Sequence, residues 1–296
     1  MPWLQLSVVS RLPELAEEIL LSQGAVSVSL HDNADDPVFE PWPGQTPLWR
    51  HTRAIGLFAE GHDLDAAEAA LREVLPEGAQ LQTARARLDD QEWTRVWLRD
   101  WKPLRFGHRL WVAPEAQREQ VADPDAVIVA LDPGLAFGTG THPTTALCLE
   151  WLDGLPLAGK TVLDYGCGSG VLAVAALKLG AARAVGVDID PQALMALRNN
   201  AAANGVGERV ETFLPEDFSE ARFDVVLANI LSGPLVQLAP RLAACTREGG
   251  ALALAGLLTR QAQDVRKAYA PWFDFEPGAV REDWERLQAR RSSRKS

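Results

Sequence analysis

TVLDYGCGSG, residues 161–170, reads as a short apolar strand that breaks into three glycines, and VLAVAALKLG, residues 171–180, reads as the helix that follows. Strand, glycine turn and helix in that order form a nucleotide-type site. The glycines fall at 166, 168 and 170, whereas a dinucleotide fingerprint needs the third one position later, where Val171 stands. The spacing is therefore GxGxG. A pyrophosphate wants backbone amides at a helix N-terminus, but a nucleoside with an amino-acid tail needs chiefly a turn free of side chains on which it can lie. S-adenosylmethionine (SAM) fits that description, with Gly166 and Gly168 against the ligand.

Three glycines in five residues can also be an ordinary turn, and the next element decides between the two readings. Ala184 to Val187 is a buried-strand candidate ending in Asp188-Ile189-Asp190-Pro191. Asp188 lies 22 residues past Gly166, close to the interval at which an acidic strand end meets ribose hydroxyls. A carboxylate accepts from two vicinal hydroxyls at once. Asp190 reads as an N-cap with Pro191 at the first helical position.

From about Phe106 the chain alternates strands and helices: 127–131, 142–154, 161–166, 169–179, 184–189, 191–203, 209–214, 223–229, 234–247 and 250–257. That rhythm predicts a doubly wound, Rossmann-like α/β domain with a parallel sheet over residues 106–296. Residues 1–88 run β-α-β-β-α-β, the order of a small ferredoxin-like α+β domain. Between them, residues 89–105 read as a linker helix with Trp93, Trp97 and Trp101 on one face. The Pro- and Asp-rich stretch 32–47 reads as an exposed loop.

The formal charge is −11, and residues 1–88 carry thirteen acidic side chains against six arginines and no lysine. Such a surface repels phosphate, so direct nucleic-acid readout is not expected and a cationic substrate is favoured. ARRSSRKS, residues 289–296, reads as a solvated, disordered tail. No secretory leader or apolar span appears, so no membrane partner is expected and the localisation reads as cytoplasmic. Three isolated cysteines without CxxC spacing disfavour a disulfide framework and a metal site. A monomer is expected.

In a doubly wound sheet, ligands bind beyond the carboxyl ends of the strands. Asp164 and Gly166, Asp188, and Asn229 at the end of FDVVLAN occupy such ends. A fourth segment, LDPGLAFGTGTHPTT (131–145), can fold over a ligand, with Phe137 as an apolar cover and Thr144 or Thr145 offering a hydroxyl. His142, beside Pro143, reads as a turn residue first and as a base second.

LDPGLAFGTGTHPTT together with DYGCGSG, VGVDIDP and ANIL resembles the ribosomal protein L-eleven methyltransferase family, as do MPWLQL at the start and the VFEPWPGQTPLW loop. The resemblance runs nearly the full length. It implies a class I SAM-dependent methyltransferase domain behind an N-terminal domain that recognises the substrate. The implied reaction is methylation of lysine side-chain amines and the α-amine of a large-subunit ribosomal protein (L-eleven). By position it implies cofactor contacts at Thr145, Gly166, Asp188 and Asn229. The residues agree with that chemistry: Asn229 can align an amine, which makes it the catalytic candidate. Ile230-Leu231-Ser232 stands where nucleobase modifiers carry Pro-Pro and a stacking aromatic. A small-molecule amine methyltransferase and a non-catalytic SAM-binding interaction protein share the cofactor residues and remain alternatives.

Overall fold

The computed structural model describes residues 2–33, 52–76, 79–88, 102–131, 142–219 and 221–293. The chain divides into two compact units, Met1–Glu92 and Trp93–Ser296. The tryptophans at 93, 97 and 101, most of the 32–47 loop and Phe137 lie outside the described residues.

The first unit runs β1 (Trp3–Val9), α1 (Pro13–Ser22), β2 (Ser27–Asp32), β3 (Thr52–Ala59), α2 (Leu64–Val74) and β4 (Gln82–Leu88). Its antiparallel sheet has the order β2-β3-β1-β4, the ferredoxin-like arrangement. Alternation along the strands sends Leu6, Val8, Ala54 and Phe58 to one face, where they pack with Ile19 and Leu20 of α1 and Ala67 and Leu71 of α2. Asp63 caps α2 by accepting from the amides of Asp65 and Ala66. Arg85 on β4 bonds Glu68 on α2 at 2.8 Å, and that bond holds the Glu68 carboxyl below its ordinary value.

The second unit opens with a small sheet absent from the sequence-based expectation: β5 (Leu104–Phe106), β6 (Leu110–Ala113) and β7 (Val127–Ala130), in that order. The segment 127–131 is thus a strand, as expected, but it belongs to this sheet and not to the main one. Leu104 and Arg105, read as the end of the linker helix, are extended. After α3 (Pro143–Asp153) come β8 (Thr161–Tyr165), α4 (Val171–Lys178), β9 (Arg183–Val187), α5 (Pro191–Ala203), β10 (Val210–Phe213), β11 (Phe223–Asn229), α6 (Ser232–Cys245), β12 (Thr246–Leu258), α7 (Ala262–Tyr269), β13 (Phe273–Arg281) and β14 (Trp284–Arg291).

The main sheet is ordered β10-β9-β8-β11-β12-β14-β13. The first five strands are parallel, as the alternation requires. The last two correct the all-parallel expectation, because β14 lies antiparallel between β12 and β13. The basic tail is corrected with them: Ala289 is buried, Arg290 bonds Glu276, and the Arg291 guanidinium lies over the Phe273 ring. Both faces are covered. Val162, Ala184, Val225, Leu227 and Ala253 pack toward α3, α4 and α5, while Leu163, Val185, Val226 and Leu254 pack toward α6 and α7. Strands buried on both faces read as continuous apolar runs, which is why these segments were legible.

Asn204, just past α5, ties the small sheet to the large layer. Its Oδ1 accepts from the Ala130 amide and its Nδ2 donates to the Ala130 carbonyl, both at 2.7 Å. The side chain thereby acts as a substitute strand for the end of β7, which leads into the 131–145 segment. Asn204→Ala leaves two backbone groups unpaired in a buried place, and an expected loss of about 2–6 kcal/mol follows from about 1–3 kcal/mol for each such group. Denaturant unfolding of the purified variant measures it, and a loss below about 1 kcal/mol contradicts the assignment.

Candidate functional site

The order of the main sheet reverses at β8, which has β9 on one side and β11 on the other. The crevice beyond the carboxyl ends of these strands is where a doubly wound sheet holds a ligand. Gly166, Gly168 and Gly170 follow β8 with φ of +79°, +51° and +77°. L-residues rarely adopt that region, and at Gly166 a Cβ would in addition collide with the Cγ2 methyl of Ile230.

The loop is pinned to the end of β9. The amides of Gly166 and Cys167 donate to the Val187 carbonyl at 2.7 and 3.1 Å, and the Gly168 amide donates to Asp188 Oδ2 at 2.9 Å. Asp188 Oδ1 accepts from the Asp190 amide at 3.0 Å. Each carboxylate oxygen can accept two hydrogen bonds, so each keeps capacity for a hydroxyl. Asp190 accepts from the Gln192 amide at 2.8 Å and starts α5 with Pro191, as the sequence predicts. Ile189 between them is 83% exposed. An apolar side chain so open beside a polyol-competent carboxylate suits the face of a purine. Sequence reasoning passed over it because it sits inside the DIDP turn.

Asp164 lies under the loop, fully buried. Its Oδ2 accepts from the Ala173 amide in the first turn of α4 at 3.2 Å, and Oδ1 has no hydrogen-bond partner among the described residues. Burial drives its pKa up to about 7, the helix amide pulls it down, and Asp188 adds a smaller upward push. The carboxyl thus props the helix that the glycine loop enters. The sequence placed Asp164 at a strand end and gave it no task.

On the other side of the crevice, Asn229 ends β11 and donates through Nδ2 to Thr145 Oγ1 at 3.2 Å, joining residues 84 apart in sequence. Thr145 is buried in the first turn of α3. Thr144, the other hydroxyl candidate, turns away to His142, its Oγ1 2.8 Å from Nδ1. His142 is the N-cap of α3: Nδ1 accepts from the Thr144 amide at 3.3 Å. Partial burial holds this imidazole below its ordinary pKa, against the upward pull of Glu282. Its Nδ1 lone pair is committed to the helix, which favours the turn reading over the base. Its ring packs edge-on against Trp284, centroids 4.8 Å apart, so the turn between β13 and β14 stands beside the start of α3.

The structure therefore gathers Gly166, Gly168 and Asp188 into one hydrogen-bonded set and Thr145 and Asn229 into another. Ile230, touching the Gly166 position, lies between the two sets. Sequence reasoning missed Ile230, since nothing in an apolar residue after a strand announces a contact with a loop 64 positions earlier. The side-chain-free loop, the carboxylate with spare acceptor capacity and the open apolar residue beside it fit a nucleoside with an amino-acid tail. Among the described residues, no group of three or more His, Cys, Asp and Glu side chains could hold a metal ion. No helix among them is long and apolar enough to cross a membrane.

Comparison with known proteins gives three independent results. A family described as ribosomal protein L11 methyltransferase matches residues 2–292. Ribosomal protein L11 methyltransferases of Edwardsiella ictaluri and Pseudomonas paraeruginosa are each 52% identical to this chain, over 97% and 98% of it and 98% and 99% of their own lengths. The crystal structure of a ribosomal protein L11 methylase from Lactobacillus delbrueckii subsp. bulgaricus superposes with a TM-score of 0.60 at 32% identity, covering 65% of this chain and all of that one.

Proposed function

Because the chain belongs to the ribosomal protein L11 methyltransferase family, we propose that it uses SAM to methylate lysine side-chain amines and the N-terminal α-amine of ribosomal protein L11, with Asn229 aligning the amine. The observation that carries this reading is the Asn229–Thr145 hydrogen bond at the end of β11. With Nδ2 committed to Thr145 Oγ1, Oδ1 would be the atom of the carboxamide that accepts from an amine. An uncharged acceptor there suits an amine that must be neutral to react.

When bound, SAM supplies an electrophilic methyl group on a sulfonium. Gly166 and Gly168 would let it lie on the backbone, Asp188 would accept from its ribose, and Ile189 would cover its base. Thr145 holds Asn229 in place. A lysine amine has an ordinary pKa of about 10.4, so a proton must leave before transfer. Leu231, next to the Asn229-Ile230 pair and 50% exposed, adds apolar surface that disfavours the ammonium form. The proton passes to water, and Asn229 Oδ1 accepts a remaining N–H so that the lone pair points along the transfer line. Ile230 and Leu231 offer no aromatic platform for a flipped nucleobase, which favours an amine.

The test is incubation of the protein with labelled SAM and ribosomal proteins from a strain lacking the enzyme, followed by mapping of the label. Label on L11 at lysine and the N-terminal amine supports the proposal. Label on small amines alone, or none despite SAM binding, replaces it by one of the two alternative readings.

Asp188→Ala is expected to weaken SAM binding by about 1.5–3 kcal/mol, the range for hydrogen bonds to a charged group. The lost partner of Gly168 contributes to that figure. Calorimetric titration checks it, and an unchanged affinity in a variant with an intact melting transition would falsify the ribose assignment.

A further inference from the structure

β11 lies between β8 and β12, and the residue after its end is gripped from both neighbours. On the β12 side, Asn229 pairs with Ala255, and the Ile230 amide donates to the Ala255 carbonyl at 3.1 Å. The next residue, Gly256, has φ of +84° and falls where the pairing of β12 with β14 slips, between Leu254 and Leu257. A Cβ built on Gly256 would strike the Ile230 carbonyl oxygen and stand 2.7 Å from its carbon and 2.9 Å from its nitrogen. These are backbone atoms, which cannot swing aside as a side chain can. On the β8 side, the Ile230 Cγ2 methyl occupies the space that a Cβ on Gly166 would need.

We propose that Gly256 is a positioning residue for methyl transfer: its bare Cα in the β12 bulge seats the Ile230 peptide and, through it, fixes Asn229 relative to the glycine loop. Bulges next to active sites commonly re-aim a neighbouring group, and here the group is the peptide that follows the amine-aligning residue. The inference rests on the reading of Asn229 above. No motif includes Gly256; it sits in ALALAGLL, which reads as plain strand.

A methyl on Gly256 pushes the Ile230 peptide toward Gly166, and the Ile230 side chain blocks the movement. Gly256→Ala should therefore lower turnover at saturating SAM and L11 by at least tenfold while SAM affinity changes less than threefold, because a misplacement of about 1 Å can itself cost two orders of magnitude in rate. Shortening the blocking side chain should relieve the crowding. In Gly256→Ala combined with Ile230→Ala, turnover should recover at least threefold over Gly256→Ala, although the melting temperature should not rise above that of the single variant. A merely structural glycine predicts the reverse, with losses that add and no recovery in rate. Turnover of Gly256→Ala within twofold of wild type overturns the proposal, as does a double variant no faster than the single one.

Hydrogen exchange of the wild-type Ile230 amide keeps the question decidable where the variants do not fold. The amide should be protected to the level of Val226 and Leu227 within β11, and exchange at the rate of an open loop overturns the seat. A wild type that transfers no methyl to L11 fails the proposed function instead, and the exchange result then still decides whether the peptide is held.

Discussion

Asn229→Ala should reduce turnover by about a hundredfold, or about 2.7 kcal/mol of transition-state stabilisation, with SAM affinity within about threefold of wild type. The asymmetry follows from the wiring of the side chain. Its Nδ2 bonds Thr145 at 3.2 Å, which is a protein contact, whereas in the proposed reading Oδ1 accepts from the incoming amine. Alanine removes the amine's acceptor but leaves the Asp188 and glycine-loop set, with its own bonds to Val187 and Gly168, intact. Single-turnover rates at saturating SAM and L11, beside calorimetric titration of SAM, separate the two quantities. A rate within twofold of wild type assigns Asn229 to structure only. Equal losses in rate and SAM affinity assign it to the cofactor alone.

Deleting residues 1–88 should abolish methylation of L11, with a fall in kcat/KM of at least a thousandfold, and leave SAM binding within about threefold. Every described member of the candidate site lies at or after His142, and the unit that begins at Trp93 contains its own two-sided core. None of the strand-end motifs falls within residues 1–88, yet that segment holds thirteen acidic side chains and no lysine. That distribution suits a lysine-bearing partner. Its attraction should weaken as salt screens it, so KM for L11 in the full-length enzyme should rise with ionic strength. A folded truncated enzyme that methylates L11 near wild-type efficiency ends the assignment of recognition to the first unit. A KM flat in salt ends only its electrostatic basis.

The elements that could be read from sequence share a physical cause. β9 and β11 are buried on both faces and show apolar runs at residues 184–187 and 225–228, and α5 carries its own start signal in Asp190-Pro191. The ferredoxin-like unit was legible because one face of its sheet is buried, so Leu4, Leu6 and Val8 alternate with polar residues. The β13–β14 hairpin was not legible. β13 is an edge strand containing Pro277 and Gly278, and β14 alternates Glu, Arg and Gln with its apolar residues, so neither carries an apolar run. Their turn is Glu282-Asp283 with Glu282 at φ +56°, and it lacks the Asn-Gly or Asp-Gly signal of a two-residue hairpin. The small sheet of β5, β6 and β7 escaped for a similar reason: its strands are three or four residues long and depend on Asn204 for part of their pairing.

By itself the sequence determined the chemistry on offer. GxGxG, an aspartate 22 residues on and an asparagine at the end of an apolar strand are local patterns, and local patterns are set by strand and turn preferences within a few residues. Only the tertiary structure decided which of these residues meet and which atoms they spend on each other. Thr145 rather than Thr144 faces Asn229, His142 gives its lone pair to a helix, and Ile230 is held between Gly166 and Gly256. Contacts between residues 84, 64 and 26 positions apart depend on strand order and register, and those follow from how whole layers bury their apolar faces rather than from any single stretch of chain.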